Sequence, residues 1–235
     1  MLGIIAGWGT PPAEMEIGET REMETPFGEP SDHFAIGLLA GKEVVFLRRH
    51  GTEEIPPHRI NHRANVYALK KLTVTEVIGI NSVGSLSKQV PPGHIVIPHD
   101  YCSPWAVMTF YERGVVHITP VLDAALRERL IQAAARANVA YKQDGVYIQT
   151  IGPRLETKAE IALLKNFGLV VGMTMAHEAT LCQEAGLAYA SICSVDNYAH
   201  GITEAPLTEK EIAIKAQENA ATIRRILLRV LEDMR

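Results

Sequence analysis

"LGIIAGWGT", residues 2–10, sets an apolar run directly against a turn of small residues. A buried strand entering such a turn is how an α/β protein opens a ligand loop, because glycines let backbone N–H groups converge on an anion. Trp8 stands at the centre of the turn, where a phosphate loop would carry a small hydroxyl, and Thr10 follows two residues on.

Runs of the same kind recur along the chain. They are "FAIGLLA" (34–40), "EVVFLR" (43–48), "EVIGIN" (76–81), "HIVIP" (94–98), "GVYIQT" (145–150), "GLVVGM" (168–173) and "LAYASIC" (187–193). Several are apolar on both faces, as strands covered by helices on each side must be. Between them lie helical patterns. Residues 61–72 start at Asn61 as cap and place Ala64, Tyr67, Ala68 and Leu72 on one face. Residues 122–139 repeat that period, and 156–168 and 176–186 each end in a glycine suited to closing a helix. Thr208 and Glu211 form a capping-box pattern ahead of a last helix. Strand–helix alternation without repeats or a dividing linker predicts one α/β domain over residues 1–235, a central mixed sheet flanked by helices. Residues 99–120 are the longest stretch without periodicity, a lid or subunit contact by its length.

With 235 residues and 47% hydrophobic content the chain can bury one good core. A net charge of −4 gives no electrostatic footprint for nucleic acid or an anionic membrane, although Arg48 and Arg49 together suit a small anion. No apolar run reaches the length of a membrane span. Cys102, Cys182 and Cys193 form no CxxC pair, and no secretory leader is read at the start, so reduced thiols and a cytoplasmic location are expected. Nine histidines lack metal-ligand spacing; neither a metal nor an organic cofactor is expected.

In open α/β sheets, ligands gather at the carboxyl ends of strands. Polar or glycine-rich chemistry follows six of the runs: the opening loop, "LRRHG" (47–51), "NSVGSL" (81–86), "GPRLET" (152–157), "GMTMAHE" (172–178) and "SVDNYAHG" (194–201). Each residue alone also has an ordinary role. Arg49 and His50 suit a solvated strand end, Gly84 a turn, Glu156 a first helical turn, Met173 the core, Thr174 a cap and Asn197 a turn.

Taken together and in order, "RRHG", "PPHRINHRANVYALKKL", "INSVGSL", "PPGHIVIPHDY", "GPRLETKAEI" and "GMTMAHEATLCQEAGLAYASIC" resemble the purine nucleoside phosphorylase and methylthioadenosine phosphorylase family, of the trimeric type. The resemblance runs from about residue 2 to the C-terminal helix. It implies a nucleoside phosphorylase-like α/β fold, inorganic phosphate as cosubstrate, no metal, and a homotrimer or homohexamer in which a neighbour completes the site. The reaction it implies is phosphorolysis of a purine nucleoside to free base and pentose 1-phosphate.

The residues suit that chemistry. Phosphate attacks C1′ while the glycosidic bond breaks through a sugar with oxocarbenium character, so the protein needs no nucleophile of its own. It must hold a dianion, orient the nucleoside and stabilise the departing base. By resemblance Arg49, His50, Ser82 and Thr174 hold phosphate, and the hydroxyl lost at Trp8 is replaced either by Thr10 or by backbone N–H groups together with the indole N–H of Trp8. Arg49 offers a planar fork for two oxygens. By the same resemblance Met173 is expected under the ribose, Leu155 beside the base in place of a common phenylalanine, and Glu209 near the 5′ substituent, although Glu209 also suits a first-turn acid of the last helix. The family's methylthioadenosine enzymes carry Asp and Ser where this chain has Asn197 and Glu156; its 6-oxopurine enzymes carry Asn and Glu. Asn197 can donate to O6 or N7, and Glu156 can accept from N1–H, so a 6-oxopurine preference is expected, for inosine, guanosine or 5′-methylthioinosine. Asn197 and His50 are the expected catalytic residues.

The chain also departs from the family pattern. The histidine that commonly follows RHG is absent, with Glu53 and Glu54 nearby, Ala199 replaces an aspartate, and residues 99–120 are short. Phe110 and His117 are candidates for reaching the neighbouring site. Methylthioadenosine phosphorolysis, a phosphate-independent nucleosidase using Glu53 or Glu54 as base, and a noncatalytic nucleoside-binding relative remain as alternatives.

Overall fold

The computed structural model describes residues 1–7, 9, 11–204 and 207–233, with Glu209 described for its backbone alone. The apolar run 2–6 forms β1 (Leu2–Ala6), buried throughout. After it come β2 (Glu16–Arg21), β3 (Phe34–Leu39), β4 (Lys42–Arg48), α1 (His62–Lys71), β5 (Glu76–Ser85), β6 (Ile95–Val96), β7 (Asp100–Cys102) and α2 (Ala124–Arg136). The chain continues through β8 (Tyr141–Lys142), β9 (Val146–Gln149), α3 (Lys158–Leu164), β10 (Val170–Gly172), α4 (Met175–Glu184), β11 (Ala188–Tyr198) and α5 (Glu209–Glu232).

The described strands form one mixed sheet in the order β2-β3-β4-β1-β5-β10-β9-β7, with β11 joined to β5 and β6, and β8 joined to β6. β5 is the branch point. Its first half runs parallel to β1 on one side and to β11 on the other. Beyond the end of β1, Gly84 and Ser85 pair antiparallel with β10. The sheet therefore opens into a crevice where β1 ends and β5 continues.

Alternation along β1 and β5 assigns the two faces. Ile5 and Val77 pack with α1 and α4, while Leu2, Ile4, Ala6 and Ile78 pack with α2 and α5. Burying apolar side chains on both faces stabilises the layers by roughly 1.5–3 kcal/mol for each large side chain. Caps fix the helix starts: Asn61, Asp123, Thr157 and Thr208 each accept from a first-turn N–H, and Thr157 with Glu160 forms a reciprocal capping box.

The α/β class, mixed sheet and flanking helices agree with the sequence reading. Three strands were not anticipated. β2, EIGETR, is exposed along its whole length, so it carries no apolar alternation to read. β7 and β8 are two or three residues long, and β7 lies inside the segment read as irregular. The glycine closing each of two helices also needs correction. Gly186 takes φ +68° just past α4, as a helix-closing glycine does, but α3 ends at Leu164 with Lys165 as its cap. Gly168 is needed for space instead: a Cβ there would lie 2.3 Å from Ile148 Cγ1.

Candidate active site

The carboxyl ends of β1, β4, β5, β10 and β11 surround a cavity of about 440 Å³. Arg49, His50, Ser82, Leu155, Glu156, Met173, Thr174 and Asn197 all line it, which brings together eight of the residues expected from sequence. Thr10 and Trp8 lie outside the described residues, as does the side chain of Glu209. Leu207 and Ile212, before and within α5, line the same cavity as Ile55, Pro56 and Pro57 and add to its apolar surface. Phe110 packs on Phe27 instead of lining the cavity, and His117 does not line it either.

Arg49 follows β4 and is buried, but its fork is engaged within the protein. Nε and Nη2 donate to the two oxygens of Glu178 at 2.5 and 3.1 Å. Nη2 also reaches Ile5 O at 3.2 Å, and Nη1 donates to Ile80 O at 2.7 Å. Four of the five N–H donors are thereby used, and the last is on Nη1, close to Gly7 in the opening loop. Arg49 thus meets the cavity with one N–H and a fixed orientation, where the sequence suggested a two-pronged grip.

Glu178 accepts a further bond from Tyr189 Oη at 2.8 Å. Tyr189 reaches it across Gly79 of β5, where a Cβ would lie 2.0 Å from the hydroxyl. Burial works against both charges and raises Glu178; the carboxylate beside Arg49 in turn holds the guanidinium's proton more tightly.

His50 joins its Nδ1 to Ile55 O at 2.6 Å. A carbonyl only accepts, so Nδ1 carries the proton and Nε2 is an acceptor in the neutral ring. Burial pushes this histidine down to about 4, with the Arg49 charge adding to the effect and the bond to Ile55 opposing it. At neutral pH it brings no positive charge. Behind it lies His62, fully buried, with neither ring nitrogen hydrogen-bonded among the described residues. Its Nδ1 is 3.9 Å from Glu178 Oε1, and its ring lies 5.1 Å from that of His177, tilted at 45° to it. Burial holds His62 well below its ordinary range, so the 3.9 Å approach is not an ion pair.

Thr174 precedes α4. Its hydroxyl oxygen accepts from Asn81 Nδ2 at 2.8 Å, and Asn81 Oδ1 accepts from Ser191 Oγ at 2.7 Å. That one-way chain leaves the Thr174 proton to be donated, which suits an anion in the cavity. The backbone N–H groups of 174, 175 and 176 are taken by Tyr147 Oη and Gln149 Oε1. Ser82 hydrogen-bonds the buried Asp196, whose carboxyl also accepts from Asn219 Nδ2 at 2.7 Å and Ser194 Oγ at 3.2 Å. Burial raises Asp196 against those bonds.

Glu156 comes from the loop before α3, lines the same cavity and is buried. Its Oε1 accepts from Thr150 Oγ1 at 2.6 Å. Asn197 faces Gly84 across β11 and β5, just past a bulge at Asp196 that re-aims the strand. Its Nδ2 gives one hydrogen to Tyr198 O at 2.9 Å and keeps a second for the cavity. Leu155 lines the cavity and is exposed.

Glu178, Asn81, Thr150 and Asp196 were not singled out from sequence. Glu178 and Asn81 stand inside quoted motifs, but a glutamate in the first turn of a helix and a strand asparagine carry no local mark of burial. Among the described residues no helix is long and apolar enough to cross a membrane, and no cluster of metal-ligating side chains occurs.

Fold and cavity have the layout of an α/β enzyme whose ligand site lies at the carboxyl ends of its strands. The chain belongs to the phosphorylase superfamily, whose family model matches residues 2–232. It is 44% identical over 237 aligned positions to a probable 6-oxopurine nucleoside phosphorylase of Archaeoglobus fulgidus, covering 99% of this chain and 95% of that one. It is 42% identical to a probable S-methyl-5′-thioinosine phosphorylase of Methanocaldococcus jannaschii, covering 99% and 91%. Among solved structures, an adenosine/methylthioadenosine phosphorylase variant from Schistosoma mansoni with adenine superposes with a TM-score of 0.91 at 30% identity, covering 98% and 90%. The resemblance read from the sequence motifs is borne out.

Proposed function

We infer that the protein cleaves purine nucleosides with inorganic phosphate, releasing the free base and pentose 1-phosphate, with preference for 6-oxopurines. The observation that carries this reading is that Glu156 and Asn197 line the same cavity as Arg49 and Thr174. Phosphate sits at Arg49, taking one N–H from Nη1 and the proton of Thr174, with Ser82 and His50 beside it. Thr10 belongs to this group as an expectation from sequence. Phosphate then attacks C1′ as the glycosidic bond breaks, and Met173 lies against the sugar. Asn197 donates to O6 or N7 as negative charge collects on the leaving purine. Glu156 accepts from N1–H, which a 6-oxopurine has and adenine lacks, and Leu155 covers the base.

A second reading concerns the sugar. Ile55, Pro56, Pro57, Leu207 and Ile212 form an apolar wall, which favours a 5′-methylthio group over a 5′-hydroxyl. Glu209, expected near that position, would suit the hydroxyl. The same reading makes the protein cytoplasmic and a homotrimer or dimer of trimers. The free cysteines and the exposed apolar side chains of Trp105, Tyr111, Val115 and Val116 support it.

The test is a panel of inosine, guanosine, adenosine and their 5′-methylthio analogues at saturating phosphate, scored by kcat/KM. Preferred turnover of 6-oxopurines supports the reading. Preferred turnover of adenosine or methylthioadenosine replaces it.

A further inference from the structure

We propose that Thr150 is a specificity-determining positioning residue, which orients Glu156 as a fixed hydrogen-bond acceptor for the N1–H of a 6-oxopurine. The inference rests on the reading of the cavity as a purine nucleoside site, and adds to it a residue that does not itself touch the base.

Thr150 sits immediately after β9, and its backbone N–H donates to Gly172 O at 2.8 Å, which ties it to β10. The side chain is buried, and its hydroxyl stands 2.6 Å from Glu156 Oε1 and 3.3 Å from Gly172 O. Both neighbours are acceptors, so the hydroxyl must be the donor, and it has a single proton. The shorter, charge-assisted contact to the carboxylate takes it.

Glu156 comes from a loop and has three rotatable bonds. The Thr150 bond is its side-chain hydrogen bond among the described residues. Pinning Oε1 against the cavity wall limits those rotations and leaves Oε2 as the oxygen for a ligand. An acceptor held in that place attracts the N1–H of hypoxanthine or guanine. It opposes the N1 lone pair of adenine, since two acceptors then face each other. Without the hydroxyl, Oε1 is an acceptor without its donor and the carboxylate can rotate away, so discrimination at N1 falls.

The experiment uses the full chain and compares Thr150→Val, Thr150→Ala and Thr150→Ser. Val keeps the shape without the hydroxyl, Ala removes both, and Ser keeps the hydroxyl. Two readouts are taken: kcat/KM for inosine against adenosine, and equilibrium affinity for hypoxanthine against adenine with phosphate present. The expected result is a fall of about tenfold or more in 6-oxo over 6-amino preference for Val and Ala, with the phosphate KM unchanged. Ser is expected to keep the wild-type preference to within about threefold. Unchanged preference in both Val and Ala overturns the inference, and so does an equal loss in Ser, which would make the effect one of bulk. Should Val fold poorly, the Ala and Ser pair decides on the binding readout alone. Failure of the wider reading looks different: the unmodified protein then shows no preference for hypoxanthine over adenine to lose.

Discussion

Glu178 holds Arg49 through two hydrogen bonds, Nε to Oε1 at 2.5 Å and Nη2 to Oε2 at 3.1 Å, with both side chains buried. The pair is charge-balanced, so Arg49 serves phosphate by aim more than by net charge. Glu178→Gln is expected to raise the phosphate KM by about tenfold or more while the nucleoside KM moves little. Breaking a buried pair by neutralising one partner also costs about 3–5 kcal/mol of stability. Initial rates against phosphate, with melting curves alongside, check both parts. A lower melting temperature with an unchanged phosphate KM contradicts the positioning role.

Asn197→Asp is expected to move preference toward 6-amino bases. A carboxylate accepts from an exocyclic amino group but cannot donate to O6. The inosine-to-adenosine ratio of kcat/KM should fall by about a hundredfold. An unchanged ratio removes Asn197 from base recognition.

Glu54 lines the cavity with a left-handed backbone at φ +54°, close to where phosphate is expected to sit. An acidic side chain there opposes an incoming dianion. Glu54→Gln is expected to lower the phosphate KM by roughly two- to fivefold and to leave kcat within about twofold. The same variant tests the nucleosidase alternative: if Glu54 activates water, kcat collapses instead.

The buried histidines set the acid limit of stability. Burial pushes His50 down to about 4 from its ordinary 6.5, and it lowers His62 and His177 as well. The folded state then binds fewer protons than the unfolded chain across that interval. Stability from His50 is complete above pH 6.5 and is lost as pH falls toward 4, and His62 and His177 add losses in the same direction. The melting temperature should decline over that range. His62→Phe removes two unpaired ring nitrogens and one titration, and is expected to raise the melting temperature by roughly 2–4 °C at pH 7 and to flatten the decline. A steeper decline in the variant contradicts this account.

The sheet was legible because its central strands are apolar on both faces, and the site because its motifs follow those strands in order. β2 was not, since an exposed edge strand needs only backbone pairing. Arg49 shows the limit most clearly. Sequence placed it in the site, but its partner Glu178 lies 129 positions away and was read as one helix residue among others. Thr150 and Glu156 are six positions apart, yet only the folded loop turns the hydroxyl onto the carboxylate. Local patterns report strands and turns; which buried donor meets which acceptor depends on tertiary packing.

The central claim is that phosphate is the nucleophile, and the direct measurement is hypoxanthine release from inosine and 5′-methylthioinosine as phosphate is varied from zero. The account predicts release that saturates with phosphate, vanishes without it, and yields one equivalent of sugar 1-phosphate per base. Release at an undiminished rate without phosphate, with the free sugar as product, would contradict it.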